Sequence, residues 1–258
     1  MSLLQAILLS AGLVFCYVTA IWLISLWLRD SGIIDMLWGP GFVLVTWFIA
    51  YRADGFAGRG LLLALLVTLW GLRLGVHLYL RNVGQPEDYR YARWRQQAGA
   101  QWWWRSYFKV NLLQGVVMWV VAVPLVVALH SASPAQLTAL DYLGVVIWGV
   151  GFFFEAVGDW QLARFKANPA NKGQVLDSGL WRYTRHPNYF GDAVVWWGFY
   201  AFALAVGGWW TIFSPALMTF LLVRVSGVAM LEKDLKDKKP AYQAYIRRTS
   251  AFIPRPPK

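Results

Sequence analysis

The sequence predicts an all-α, polytopic membrane protein with seven transmembrane helices, the N-terminus outside and the C-terminus in the cytoplasm. Three observations carry that reading. The chain has 258 residues, 58% of them hydrophobic and only 14% charged, where a soluble domain is about a quarter charged. Its apolar runs are about 20 residues long, the length a bilayer core requires. Its Lys and Arg are unevenly shared among the loops between those runs.

The first span is Leu3 to Leu28. It is too long for a signal-peptide core and has no basic residue before it, so it reads as a retained helix. The Arg29-Asp30-Ser31-Gly32 turn returns the chain into the second span, Ile33 to Tyr51. A Gly- and Asp-containing loop leads to the third, Leu61 to Leu80. Arg81 to Phe108 is a long basic and aromatic segment whose Trp102-Trp103-Trp104 triplet fits an interfacial belt. The fourth span is Val110 to Leu129 and the fifth Leu140 to about Phe165. The sixth is Tyr189 to Val206, then a Gly207-Gly208 turn and a seventh from Trp209 to about Leu231. A charged tail closes the chain.

Of 24 Lys and Arg, 19 fall in Arg81 to Lys109, Arg164 to Arg185 and the tail. The positive-inside rule therefore puts those three segments in the cytoplasm. The net charge of +11 reflects loops between spans, which points to orientation and anionic lipid or cofactor rather than nucleic acid. Cys16 is the single cysteine, and His77, His130 and His186 have no ligand spacing, so no disulfide within the chain and no metal site are expected.

The segment around which the chain is organised is Asp177-Ser-Gly-Leu-Trp-Arg-Tyr-Thr-Arg-His-Pro-Asn-Tyr-Phe-Gly-Asp192. Gly179 and Pro187 make its first part a loop, and a helix begins near Asn188. Arg182, Arg185 and His186 precede that helix, and a cationic loop feeding a helix N-terminus suits an anion. Tyr189 follows in the same motif, and Asn188 and Asp192, four apart, share one helix face. A plain orienting flank would need charge but not Gly, Pro, His, Asn and Asp at fixed offsets.

Charged residues inside spans are costly and mark function. Asp35 lies two residues into the second span, beside Trp38, Gly39 and Gly41; it is either a helix-terminus residue or an acid in a substrate pocket. Arg73 and His77 share a face of the third span, and a guanidinium so deep needs a phosphate or carboxylate. Glu155, Asp159 and Lys166 share a stripe of the fifth, either as ligand-binding groups or as partners for Arg73 or Arg224. Arg224 and Glu232 share a stripe in the seventh. No GxGxxG follows a strand, which excludes a Rossmann cofactor site.

Two stretches carry a resemblance. Lys166-Ala-Asn-Pro-Ala-Asn-Lys-Gly173 and Gly179-Leu-Trp-Arg-Tyr-Thr-Arg-His-Pro-Asn-Tyr-Phe-Gly-Asp192 resemble the C-terminal region of the steroid 5α-reductase family, in its bacterial branch. Pro240-Ala-Tyr-Gln-Ala-Tyr245 and Phe252-Ile-Pro254 fit as well. More distantly the chain resembles sterol C14 and Δ7 reductases and isoprenylcysteine carboxyl methyltransferases. The resemblance implies one integral-membrane domain over 1–258, with substrate-side helices and a basic loop in 1–108 and cofactor-binding helices in 109–258. It implies a bacterial inner-membrane enzyme that uses NADPH to reduce a 3-oxo-Δ4 steroid or similar lipophilic enone, with no obligate protein partner. It assigns NADPH to Arg73, Asp159, Lys166, Arg182, Asn188, Asp192 and Arg224. Arg185, His186 and Tyr189 join that set as part of the same loop and helix start. The family's Glu and Tyr that hold the 3-oxo group have no clear match here; Asp35 is the nearest acid, with or without a Tyr as the direct donor. The alternatives are an S-adenosylmethionine-dependent methyltransferase of the isoprenylcysteine type and a non-catalytic sterol-binding protein.

Overall fold

The computed structural model describes residues 1–225, 227, 228, 232 and 240–257. Among them the protein is all-helical. Its α-helices are α1 (Leu3–Leu28), α2 (Ile33–Arg52), α3 (Ala57–Asn82), α4 (Tyr89–Ala98), α5 (Trp102–Ser106), α6 (Leu113–His130), α7 (Ala139–Ala167), α8 (Pro187–Leu204), α9 (Phe213–Phe220) and α10 (Pro240–Arg248). Five helical stretches are long and apolar enough to cross a membrane: α1, α2, α3, the run Tyr89–His130 and α7. The protein is accordingly an integral, multi-pass membrane protein. The other two expected spans fall on α8, with 18 residues, and on the shorter stretch Trp209–Val225. The expected end of the last span, at Leu231, and the start of the charged tail lie outside the described residues.

The chain forms two compact units: Met1–Thr138 with Phe202–Gly208, and Ala139–Ala201 with Trp209 onward. In the first, α1 buries one stripe, Ala6, Ser10, Val14, Val18, Ile21 and Ser25. Its other faces are also apolar, with Leu4, Leu8, Phe15 and Trp27 exposed. A helix that is apolar all round belongs in lipid. Ser2 starts it with a capping box, its side chain accepting from Gln5 N and its own N–H donating to Gln5 Oε1 at 2.8 Å.

Helices α2 and α3 pack through glycine. A Cβ on Gly39 would strike the Gly71 carbonyl, and one on Gly75 would meet Pro40 and the Met36 carbonyl. Lipid gives no hydrophobic drive between helices, so small residues that let backbones touch supply the packing. In the second unit α7 and α8 use the same device. A Cβ on Gly191 would strike the Glu155 backbone, and one on Gly198 would strike Trp148. That contact sets the face of α7 bearing Glu155 against the first turns of α8.

The basic segment after α3 is helical rather than extended. Asp88 caps α4 by accepting from Arg90 N. From Tyr107 to Leu112 the helix widens to π-type turns before α6, a feature often found beside functional sites.

Candidate functional site

The first unit places Asp35 in the first turn of α2, where the helix dipole favours a carboxylate. Three residues from elsewhere in the unit meet it. The Tyr91 hydroxyl donates to Asp35 Oδ1 at 2.9 Å. Gln114 Nε2 lies 3.3 Å from the same oxygen and 3.2 Å from the Tyr91 oxygen, donating to both. Arg90 Nη2 reaches Asp35 Oδ2 at 3.3 Å. Arg90 is itself held by Asp88, Nε to Oδ1 at 2.8 Å. Burial pushes the Asp88 carboxyl up, but hydrogen bonds from the Arg90 side chain and backbone outweigh it and leave the group below its ordinary value. Asp88 thus stays ionised and fixes Arg90. Tyr91 is almost fully buried, whereas the Asp35 side chain keeps 26% of its surface open. A small polar atom from a ligand can reach this network.

Sequence reasoning found Asp35 but missed Tyr91, Gln114 and Arg90. Tyr91 sits in a segment that reads as a basic flank, and Gln114 sits 79 positions from Asp35. No local period links them. Arg73 and His77 lie half-buried on α3, in this same unit.

The second unit gathers most of the expected cofactor residues near the start of α8. Glu155 and Asp159 are buried on α7. Asn188 Nδ2 donates to Asp159 Oδ1 at 2.9 Å. The other side of that amide, Asn188 Oδ1, is enclosed and has no hydrogen-bond partner among the described residues. Asp192 follows one turn later, half-buried. The loop before α8 is pinned to α7: Trp181 Nε1 donates to the Gly158 carbonyl at 3.1 Å, and Leu180 N donates to Gln161 Oε1 at 3.0 Å. Gly179 adopts φ +59, with Gln161 filling the space a Cβ would take; only glycine fits both demands.

Arg185 and His186 turn inward. Arg185 is 6% exposed and joins Glu232 at 2.6 Å and the Ile246 and Thr249 carbonyls. His186 Nε2 lies 3.3 Å from the same Glu232 oxygen, and its ring stacks on Tyr189 at 5.7 Å. Burial lowers the His186 pKa, partly offset by Glu232, so the ring is neutral and donates through Nε2. Burial would raise the Glu232 carboxyl, but the bonds from His186 and Arg185 and the Arg185 charge bring it below its ordinary value. These two motif residues therefore clamp the C-terminal segment. Thr184 extends the clamp, donating to the Phe252 carbonyl at 2.8 Å, and Tyr245 donates to the Trp181 carbonyl.

Of the expected cofactor residues, Lys166, Arg182 and Arg224 are exposed. Beside the end of α7 lies an open cavity of about 500 Å³, walled by Trp160, Gln161, Arg164, Asn171, Ser178 and Gly179. Small-molecule sites have about this size. Exposed cations suit phosphates, and an enclosed amide oxygen without a donor suits an N–H or hydroxyl. No group of His, Cys, Asp and Glu among the described residues could hold a metal ion.

Among known proteins, the "Uncharacterized protein C594.04c" of Schizosaccharomyces pombe is 27% identical over 275 residues, covering 95% of this chain and 79% of that one. The "Probable O-methyltransferase ustE" of Ustilaginoidea virens is 31% identical over 130 residues, 50% of this chain and 41% of that protein. The "Delta(14)-sterol reductase" of Ascobolus immersus is 28% identical over 151 residues, 53% of this chain and 33% of that protein. The matches to these last two thus span less than half of either relative's length. No solved structure matches the chain. The family model described as "Protein of unknown function (DUF1295)" matches residues 21–249, and the chain belongs to that family, which is related to steroid 5α-reductase-like membrane proteins.

Proposed function

We propose that this protein is an NADPH-dependent reductase of a 3-oxo-Δ4 steroid or a similar lipophilic enone, of the bacterial branch of the steroid 5α-reductase family. The observation that carries the reading is the Asp35–Tyr91–Gln114 network at the end of a membrane helix. Reduction of an enone leaves negative charge on the carbonyl oxygen, and a hydroxyl aimed at that oxygen stabilises it. Tyr91 supplies that hydroxyl, and Asp35 behind it holds or returns the proton. Gln114 orients the phenol oxygen, and Arg90 anchors the far side of Asp35. The α-carbon then takes a proton from water or a side chain.

NADPH, when bound, supplies the hydride. Lys166, Arg182 and Arg224 are assigned to its phosphates, and Asp159, Asn188 and Asp192 to its polar groups. Tyr189 is assigned to the same site; Arg185 and His186 support it by anchoring the chain. Arg73 is assigned to the cofactor by resemblance alone. The sterol reductase among the relatives supports reduction of a lipophilic ring.

The O-methyltransferase relative favours a second reading, methyl transfer from S-adenosylmethionine. Single-turnover incubation of purified protein with NADPH and progesterone tests the proposal, with loss of the enone absorbance expected. Tight S-adenosylmethionine binding without NADPH binding would favour methyl transfer. Steroid binding with neither cofactor would leave a sterol-binding protein. We further infer seven spans in a bacterial inner membrane. Reporters fused at Lys258 and in the Gly207-Gly208 turn should give opposite signals, and equal signals would overturn that topology.

A further inference from the structure

Trp38 carries a donor with nothing to bond. It follows Asp35 by three residues in α2, so the two share a face one turn apart. Its ring meets Phe42 edge-on at 5.0 Å, and Phe42 in turn meets Trp70 at 5.8 Å. The indole Nε1 is enclosed and has no hydrogen-bond partner among the described residues. Buried indole N–H groups ordinarily find an acceptor. Four other indoles in the same unit, buried or exposed, have one: Trp22 bonds the Trp103 carbonyl, Trp47 bonds Thr68, Trp102 bonds Ser31 and Trp119 bonds the Ile7 carbonyl.

The neighbouring donors are already engaged. Gln114 directs its amide to Asp35 and Tyr91, and Arg90 directs its guanidinium to Asp88 and Asp35. The Thr46 hydroxyl, further along the same stripe, also lacks a partner among the described residues, but Thr46 is wholly enclosed and lies about three helical turns from Asp35. Trp38 is only half-buried, and Asp35 beside it is partly open.

We infer that the Trp38 Nε1–H is a second donor to the substrate's carbonyl oxygen, beside the Tyr91 hydroxyl. The inference rests on the proposed enone reduction. An oxyanion accepts more than one hydrogen bond, and two fixed donors stabilise the charge that develops there better than one. The arrangement also sets specificity. A ligand without an acceptor oxygen leaves the Trp38 N–H unpaired, whereas a flat ketone satisfies it while its ring lies along the Trp38–Phe42 wall.

The test compares binding of androst-4-en-3-one with that of androst-4-ene, which lacks the oxygen, to the full-length protein in detergent. Wild type should prefer the ketone by about tenfold or more, and Trp38→Phe should lose about tenfold of that preference. A Trp38→Phe variant that discriminates as wild type does would overturn the role of Trp38 and leave the enone reading standing. A wild type with no preference would overturn both. If Trp38→Phe does not fold, the unsubstituted protein labelled with ¹⁵N-tryptophan gives the answer. One indole N–H resonance should move with androst-4-en-3-one and not with androst-4-ene. The absence of any ketone-specific shift would overturn the inference.

Discussion

The Tyr91 hydroxyl donates to Asp35 Oδ1 at 2.9 Å, closing a 56-residue separation between the start of α4 and the start of α2. On the proposed mechanism the two act as one proton-donating unit. Asp35→Ala and Tyr91→Phe should each lower single-turnover reduction by at least about 10²-fold, a usual general-acid contribution, with NADPH binding kept. Residues that act as a unit are not additive, so the double variant should be no worse than the poorer single one. Near-normal turnover in Asp35→Ala would leave Asp35 as a helix-terminus residue.

Asp159 accepts from Asn188, so removing it leaves a half-buried amide without its acceptor. Asp159→Ala should cost about 1–3 kcal/mol of stability for that reason, seen as a lower thermal midpoint in ligand-free protein. On the proposed reading NADPH should also bind more weakly. A variant with unchanged midpoint and unchanged NADPH affinity would remove Asp159 from both roles.

The exposed cations predict a preference for NADPH over NADH, because a 2′-phosphate bonds best to Arg and Lys. Arg182→Glu should narrow that preference in a titration while leaving the clamp built by Arg185 intact. Equal affinity of the wild type for both nucleotides would rule out a 2′-phosphate contact.

The clamp has a pH signature. His186 and Glu232 both have lowered pKa values in the fold, from ordinary values of 6.5 and 4.5. Each therefore contributes stability that is complete above its ordinary value and is lost as pH falls through its lowered one. Tyr242, pushed up to about 12 mainly by burial, stays neutral. The thermal midpoint should begin to fall below about pH 6.5, first through His186 and then through Glu232. Glu232→Gln should flatten the lower part of that curve. A wild-type midpoint independent of pH between 7 and 4 would mean the clamp adds nothing to stability.

The sequence by itself determined the membrane class and the long helices. Leu3 to Leu28 forms a helix because a backbone in lipid must bond to itself, and that demand is local. The same locality put Glu155 and Asp159 on one face of α7 and began α8 beside Asn188, since a 3.6-residue period and a Pro187 start are written in neighbouring residues. Only the tertiary structure decided which polar groups meet. Arg185 reads as an exposed cation in its loop, yet it is buried against Glu232 and the Thr249 carbonyl. Tyr91 reads as part of a basic flank, yet with Gln114 it completes the site of Asp35. Such partnerships depend on helix contacts across dozens of residues, set by glycine pairs such as Gly39 with Gly71. Helical period fixes the face a side chain occupies; packing alone fixes what stands opposite it.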